Sequence, residues 1–185
     1  MWRSINPFAV FAIGVIVLFA LIWNHYQLPT ILWGKTATAD GIVLDTYPIR
    51  IKHGFLQDIT YGYQVSGQYH IAKRRIGKSF PYQFAGNRVR VEYQLDQPNR
   101  HNLIGFFSDY SRRTSTRESY KDSVGTLITL RNGIVSFRHT STGSLDSVWY
   151  GFGEWANDTL QVHLLNEKER LVAIPRNTLR KQPKL

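Results

Sequence analysis

The sequence predicts a mainly β protein, with one N-terminal transmembrane helix followed by two small antiparallel β modules. Three observations carry that prediction. A charge-free apolar run fills the N-terminus, period-two alternation takes over from Thr36, and a polar stretch without periodicity divides the alternating part in two.

From Ser4 to Trp33 there is no Asp, Glu, Lys or Arg, and Phe8 to Trp23 reads FAVFAIGVIVLFALIW. A helix from Ile5 to Gln27 would be about 34 Å long at ~1.5 Å per residue, enough to cross the apolar slab of a bilayer. Pro29 supplies a stop. Trp2 on one side, and Trp23, Tyr26 and Trp33 on the other, fall where an interfacial aromatic belt belongs. A cleaved signal peptide is the competing reading, because Ala37-Thr38-Ala39 resembles a cleavage site. That triplet lies too far beyond the apolar core for the usual geometry, which favours an uncleaved anchor. Arg3 and the α-amine flank one end, Lys35 and Asp40 the other. The positive-inside bias then places the N-terminus in the cytoplasm and the body outside it, at a bacterial inner membrane.

Residues 36–107 read as the first β module. Thr36 to Tyr47 is a β-rich run with Gly41 as the expected bulge. In DITYGYQV, the residues Ile59, Tyr61, Tyr63 and Val65 share one face; Ser66-Gly67 makes a two-residue hairpin turn. Tyr69 and Ile71 are expected to continue on that face along the return strand. Asn87 to Leu95 alternates Val89, Val91, Tyr93 and Leu95 against Arg88, Arg90, Glu92 and Gln94, the pattern of a half-buried strand. These three strands would make a small sheet.

Residues 108–123, SDYSRRTSTRESYKDS, have few apolar groups and no period, and read as a linker or exposed loop. Residues 124–185 read as a β meander. TLITL and IVSFRH flank Arg131-Asn132-Gly133, with Asn-Gly suited to a type I′ turn. VWYGFGEW alternates less strictly, and its Gly151-Phe152-Gly153 reads as a bulge. Leu160, Val162 and Leu164 share a face, RLVAIP follows, and a short helical turn and a basic tail complete the chain.

The first module resembles a bacterial family of uncharacterised membrane-anchored β-domain proteins. The resemblance rests on Ala37, Gly41 and Val43, on Tyr61, Tyr63, Val65, Gly67 and Tyr69, and on Gly86, Val89, Val91, Tyr93 and Pro98, and covers residues 1–107. Leu95 and Asp96 stand where that family usually has a proline. The resemblance implies architecture and membrane location and no reaction. Residues 124–185 resemble the small bacterial PH-like domains of the YcxB type, through Trp149, the Leu160, Val162 and Leu164 strand, and Ile174-Pro175.

Composition excludes some chemistry. The chain has no cysteine, so disulfides, thiolate catalysis and cysteine-based metal sites are out. The six histidines (His25, His53, His70, His101, His139 and His163) lack a metal-ligand spacing, and the carboxylates do not cluster. Ser141 to Ser147 lacks the Gly-x-Ser-x-Gly elbow of a strained nucleophile. No catalytic residue, metal or cofactor is therefore expected. The formal net charge of +10 implies anionic partners. The best candidate contact surface is Lys73, Arg74, Arg75 and Lys78 with Arg88 and Arg90, read as one positive patch for anionic headgroups or an acidic protein. Nucleic acid is disfavoured, because the aromatic residues alternate toward the core rather than among the basic ones. The expected function is a non-enzymatic, single-pass membrane protein whose β modules bind a protein or lipid partner at the envelope. An immunity-type membrane binder and an enzyme with a site assembled from scattered residues are the alternatives. No oligomeric state is legible.

Overall fold

A computed structural model describes residues 7–26, 30–52, 54–77, 80–107, 117–139, 148–165 and 171–183. The chain divides into two compact units, Met1–Ile31 and Leu32–Leu185. In the first, α1 spans Pro7–Tyr26, without an acidic residue in its first turn. Its described side chains, continuous over Val10–Phe19, are all exposed. Taken over the described residues, no helix is long and apolar enough to cross a membrane. Trp2 and Lys78 lie outside the described residues, as do the side chains of Trp23 and Tyr26.

The second unit is mainly β and consists of two antiparallel sheets. The first holds β1 (Thr36–Ile51), β2 (Gly54–Val65), β3 (Gln68–Ile76), β4 (Arg88–Gln94) and β5 (His101–Phe106), in the order β3-β2-β1-β4-β5. The long β1 is the spine: it pairs with β2 along Gly41–Ile51 and with β4 along Thr36–Ile42. The strands at 61–65 and 69–75 are therefore not joined directly to the strand at 88–95. Ser66 and Gly67 both take positive φ (50° and 80°), which closes the β2–β3 hairpin with only two residues.

That turn corrects one expectation. Across a two-residue turn Val65 faces Gln68 and Tyr63 faces His70. Side-chain direction therefore inverts relative to continuous counting, and Tyr69 and Ile71 point to the opposite side from Tyr61 and Tyr63. Both sides are buried. Ile59, Tyr61 and Tyr63 join Val43, Val89, Val91 and Leu103 in one core, while Tyr69 and Ile71 pack against a second core with Leu44, Ile134 and Tyr150.

The bulge expected at Gly41 is displaced: the register of β1 shifts between Val43 and Asp45. Gly41 is required for a different reason. A Cβ there would lie 2.6 Å from the Gly62 carbonyl oxygen and 3.1 Å from Val89 Cγ2.

The second sheet holds β6 (Arg117–Lys121), β7 (Leu127–Arg131), β8 (Ile134–Arg138), β9 (Val148–Ala156), β10 (Thr159–Leu164), β11 (Leu171–Pro175) and β12 (Arg180–Lys181), in the order β11-β10-β9-β8-β7-β6-β12. The stretch 108–123 is thus not all linker, because β6 supplies an internal strand. The turn Asn132-Gly133 has the expected positive φ at both positions (51° and 77°). Gly151 and Gly153 sit in regular register rather than in a bulge. They are glycines because a Cβ would meet Val162 Cγ1 and Val135 Cγ2, each at 2.5 Å.

Laid flat, seven strands would separate β11 from β12 by about 29 Å, at ~4.8 Å per step. The chain from Pro175 to Arg180 reaches about 18 Å at full extension, and Arg176–Thr178 is wound into a 3₁₀ turn. The sheet must therefore curl until its edges come within reach of that connection, with Tyr120, Ile128, Val135, Leu160 and Val162 as its core. The outer face of the first sheet packs on the outer face of the second through Leu44, Ala85, Ile134, Tyr150 and Leu165. The Asn132 side chain also donates a 2.7 Å hydrogen bond to the Ala85 carbonyl.

Candidate functional site

Arg75 and Lys73 lie on the outer face of β3, Arg74 on its inner face. Arg75 makes a two-pronged contact with Asp58, at 2.7 and 2.9 Å. Arg74 Nη1 donates to the Leu103 carbonyl at 3.1 Å, linking edge strand β3 to edge strand β5. Lys73 is exposed. Arg88 and Arg90, on β4, share Asp40 at 2.7 and 3.5 Å, and both guanidinium groups sit over the Phe107 ring. In the sheet order β2 and β1 stand between β3 and β4, a displacement of about 14 Å at ~4.8 Å per strand. The structure thus places the two basic groups on strands that are not neighbours, and sets two carboxylates, Asp58 and Asp40, against their five described cations.

Inside the first sheet, five rings gather where β3 and β5 approach. Tyr63 stacks with Tyr61, His70 and Tyr93 at centroid distances of 6.4, 5.4 and 6.3 Å, and His101 meets both Tyr61 and Tyr63, at 5.8 and 5.2 Å. The polar ends of three of these rings have partners. Tyr63 donates to the Pro98 carbonyl at 2.6 Å, His70 Nδ1 meets Asn99 Oδ1 at 2.8 Å, and His101 Nδ1 meets the Asn99 carbonyl at 2.8 Å. Burial pushes the Tyr63 pKa up to about 12, with the neighbouring Tyr93 adding to the effect. Burial likewise raises the pKa of Tyr61, against the lowering influence of Arg74. Burial holds His101 below the usual histidine range, the hydrogen bond to Asn99 opposing it and the charges of His70 and Arg74 reinforcing it. Each shift favours the neutral form, so the cluster is a hydrogen-bonded wall rather than a set of activated nucleophiles.

A third arrangement was not legible as a motif. Between the two sheets lies a cleft of about 300 Å³. One wall is β1 from Leu44 to Pro48, with Ala85; the other is Arg117, Leu127, Thr129, Arg131, Ile134, Ser136 and Arg138. The register explains why three arginines share that wall. Arg117 stands opposite Arg131 on β6 and β7, and the β7–β8 hairpin pairs Leu127 with Arg138, Thr129 with Ser136 and Arg131 with Ile134. All these side chains share the outer face that also carries Ile134 and Tyr150. Arg131 lies against the Phe84 ring, 5.8 Å from its centroid, and its Nε is buried without a hydrogen-bond partner among the described residues. The segment carrying Phe84 and Ala85 is fixed by a buried amide chain. Gln57 Nε2 donates to the Gln83 carbonyl at 2.6 Å, Gln83 N–H donates to Gln57 Oε1 at 2.9 Å, and Asn87 Nδ2 donates to Gln83 Oε1 at 2.9 Å. Burial pushes the Tyr150 pKa up beside this cleft, and the negative charge of Asp45 adds to it; Thr60 and Arg138 oppose.

A more apolar hollow of about 440 Å³ opens at one end of the second sheet, between Ile128, Phe137, Trp149, Val172 and Ile174. Among the described residues no group of three His, Asp or Glu side chains is placed to hold a metal ion. The segment 141–147 lies outside the described residues. No family model, curated protein or solved structure matches the chain.

Proposed function

We propose that the chain is a non-enzymatic, single-pass membrane protein whose β unit binds a protein or lipid partner at a bacterial cell envelope. The observation that carries this reading is the uniform exposure of apolar side chains around α1. Phe8 is 81%, Phe11 72% and Ile16 67% exposed, and Val10–Phe19 has no polar side for water. A helix that is apolar all round needs an apolar environment. Twenty helical residues extend about 30 Å, the thickness of the hydrocarbon layer. The residues of α1 whose side chains are not described are themselves mostly apolar in sequence, up to Trp23. Trp33, 65% exposed just beyond this unit, suits an interfacial position. The positive-inside bias of Arg3 supports a body outside the cytoplasm.

The binding role is supported by the state of the polar interior. Burial favours the neutral forms of Tyr61, Tyr63 and His101, and Tyr63 and His101 are hydrogen-bonded to the carbonyls of Pro98 and Asn99, as suits a scaffold. On the outer face Lys73, and the surplus charge of Arg88 and Arg90 over Asp40, remain to attract an anionic surface.

Membrane fractionation with an alkaline carbonate wash tests the anchor. The full chain should stay with the bilayer, and removal of residues 1–31 should release the β unit. Extraction of the full chain by carbonate would sink the reading. For the outer face, Lys73→Gln, Arg88→Gln and Arg90→Gln together should lower sedimentation with anionic vesicles at low salt. Binding that ignores both the substitutions and the salt concentration would remove this face from the function.

A further inference from the structure

We propose that the cleft between the two sheets binds a phosphoryl group, held by Arg117, Arg131 and Arg138. Arg117 and Arg131 face each other directly on neighbouring strands, and like charges so placed destabilise a sheet. Arg75, Arg88, Arg90 and Arg176 have carboxylate partners in Asp58, Asp40 and Asp158, whereas Arg50, Arg74, Arg100 and Arg180 stand singly without an ion pair among the described residues. Among the described residues Arg117, Arg131 and Arg138 form no ion pair. Three arginines against one aspartate on the lining leave an excess of two positive charges.

That excess selects the ligand. A single carboxylate would neutralise half of it, whereas a phosphate monoester carries about −1.5 to −2 near neutrality. Guanidinium forks match the oxygens of such a group in pairs. Arg131 is already partly desolvated, its Nε buried and without a partner among the described residues, so an anion held by its outer guanidinium nitrogens meets a cation that has lost part of its hydration. Thr129 and Ser136, paired across β7 and β8 on the arginine face, add hydroxyls to the lining, and the volume of about 300 Å³ leaves room for phosphate with a small organic group. Neither sheet alone makes the site. The arginines come from the second, while the opposing wall of β1 and the Phe84 ring come from the first.

The test uses the full chain in zwitterionic detergent. Calorimetry with pyrophosphate and with glycerol phosphate should show saturable binding to one site per chain. Arg117→Gln and Arg138→Gln should each weaken it about tenfold or more, the scale of a lost charged hydrogen bond. Arg75→Gln should bind as the unsubstituted chain does. In a parallel arm, phosphatidylcholine vesicles with and without phosphatidic acid separate a lipid headgroup from a soluble phosphate. Dependence on Arg117 and Arg138 in either arm supports the site and identifies the source. Should Arg131→Gln fail to fold, Arg117→Gln still decides. Relieved of its facing charge, it should melt higher without anion and gain less from added phosphate. Absence of saturable binding in both arms would overturn the proposal, as would equal binding by the Arg117 and Arg138 variants or binding of citrate in place of phosphate. None of these results bears on the membrane anchor.

Discussion

The first sheet brings its edge strands together through side chains, whereas the second is tied edge to edge by the chain itself. In the first, the links are Arg74 to the Leu103 carbonyl, Tyr63 to the Pro98 carbonyl and His70 to Asn99. In the second, Arg176–Thr178 carries the chain from β11 to β12, and Gln182 N–H donates to the Ser119 carbonyl at 2.7 Å. The interiors differ accordingly. The first is a lattice of rings, with Tyr63, His70 and His101 hydrogen-bonded at their polar atoms, and the second is largely aliphatic. One closure is chemical and open to titration; the other is topological.

The largest effect should come from filling one of the two tight glycine positions of the second sheet. Gly151→Ala would press a methyl onto Val162 and onto the His163 carbonyl oxygen 2.7 Å away, and should cost on the order of 3 kcal/mol in urea unfolding. A loss below about 1 kcal/mol would show that the tied sheet has slack. Ile59→Ala, in the ring-lined core, should cost about 2–4 kcal/mol through lost burial and a cavity. Its unfolding midpoint should fall without a change in slope, unless the first sheet opens by itself. Arg74→Gln removes one cross-edge link and should cost about 1–2 kcal/mol. Hydrogen exchange should then quicken at β5 and not at β6; equal quickening in both would erase the contrast.

Titration sharpens it further. His101 is harder to protonate folded than unfolded, so its contribution to stability is present above about pH 6.5 and is lost as pH falls through its lowered value. His101→Asn should flatten that acid limb. Tyr63 works in the opposite direction: its contribution is present below about pH 10 and is lost as pH rises toward about 12. The smallest effect belongs to the outer face. Arg75 and Asp58 are each about one-third exposed, and Arg75→Gln should change stability by about 0.5 kcal/mol or less.

Period-two alternation was enough to find most strands, and Asn132-Gly133 and Ser66-Gly67 were enough to find two hairpins. What went astray had a physical pattern. Counting by twos through the turn assigns Tyr69 to the face of Tyr61 and Tyr63, whereas a two-residue turn reverses parity. Gly41, Gly151 and Gly153 read as bulges, yet each is small because a neighbouring strand or side chain occupies the space of its Cβ. The strand Arg117–Lys121 carries no apolar alternation, because Tyr120 is its only large apolar residue and shares the inner face with Glu118, to which its hydroxyl donates. The arginine cleft had one readable signal: the Asn-Gly hairpin places Arg131 and Arg138 on the same face. The third member, Arg117, was out of reach until β6 was known to pair with β7.

The sequence by itself determined the local facts: a helix within the apolar N-terminal run, antiparallel strands after it, and the hairpin turns where Gly or Asn tolerates positive φ. These depend on neighbours a few residues away. Strand order, with β1 as the spine, and the seating of one sheet on the other were decided by tertiary structure. So was the difference between the basic residues. Arg75, Arg88 and Arg90 look free in the sequence and are answered by Asp58 and Asp40, while Arg117, Arg131 and Arg138 look scattered and come together. Charge acts through space, and which charges are near is settled only when the strands have paired.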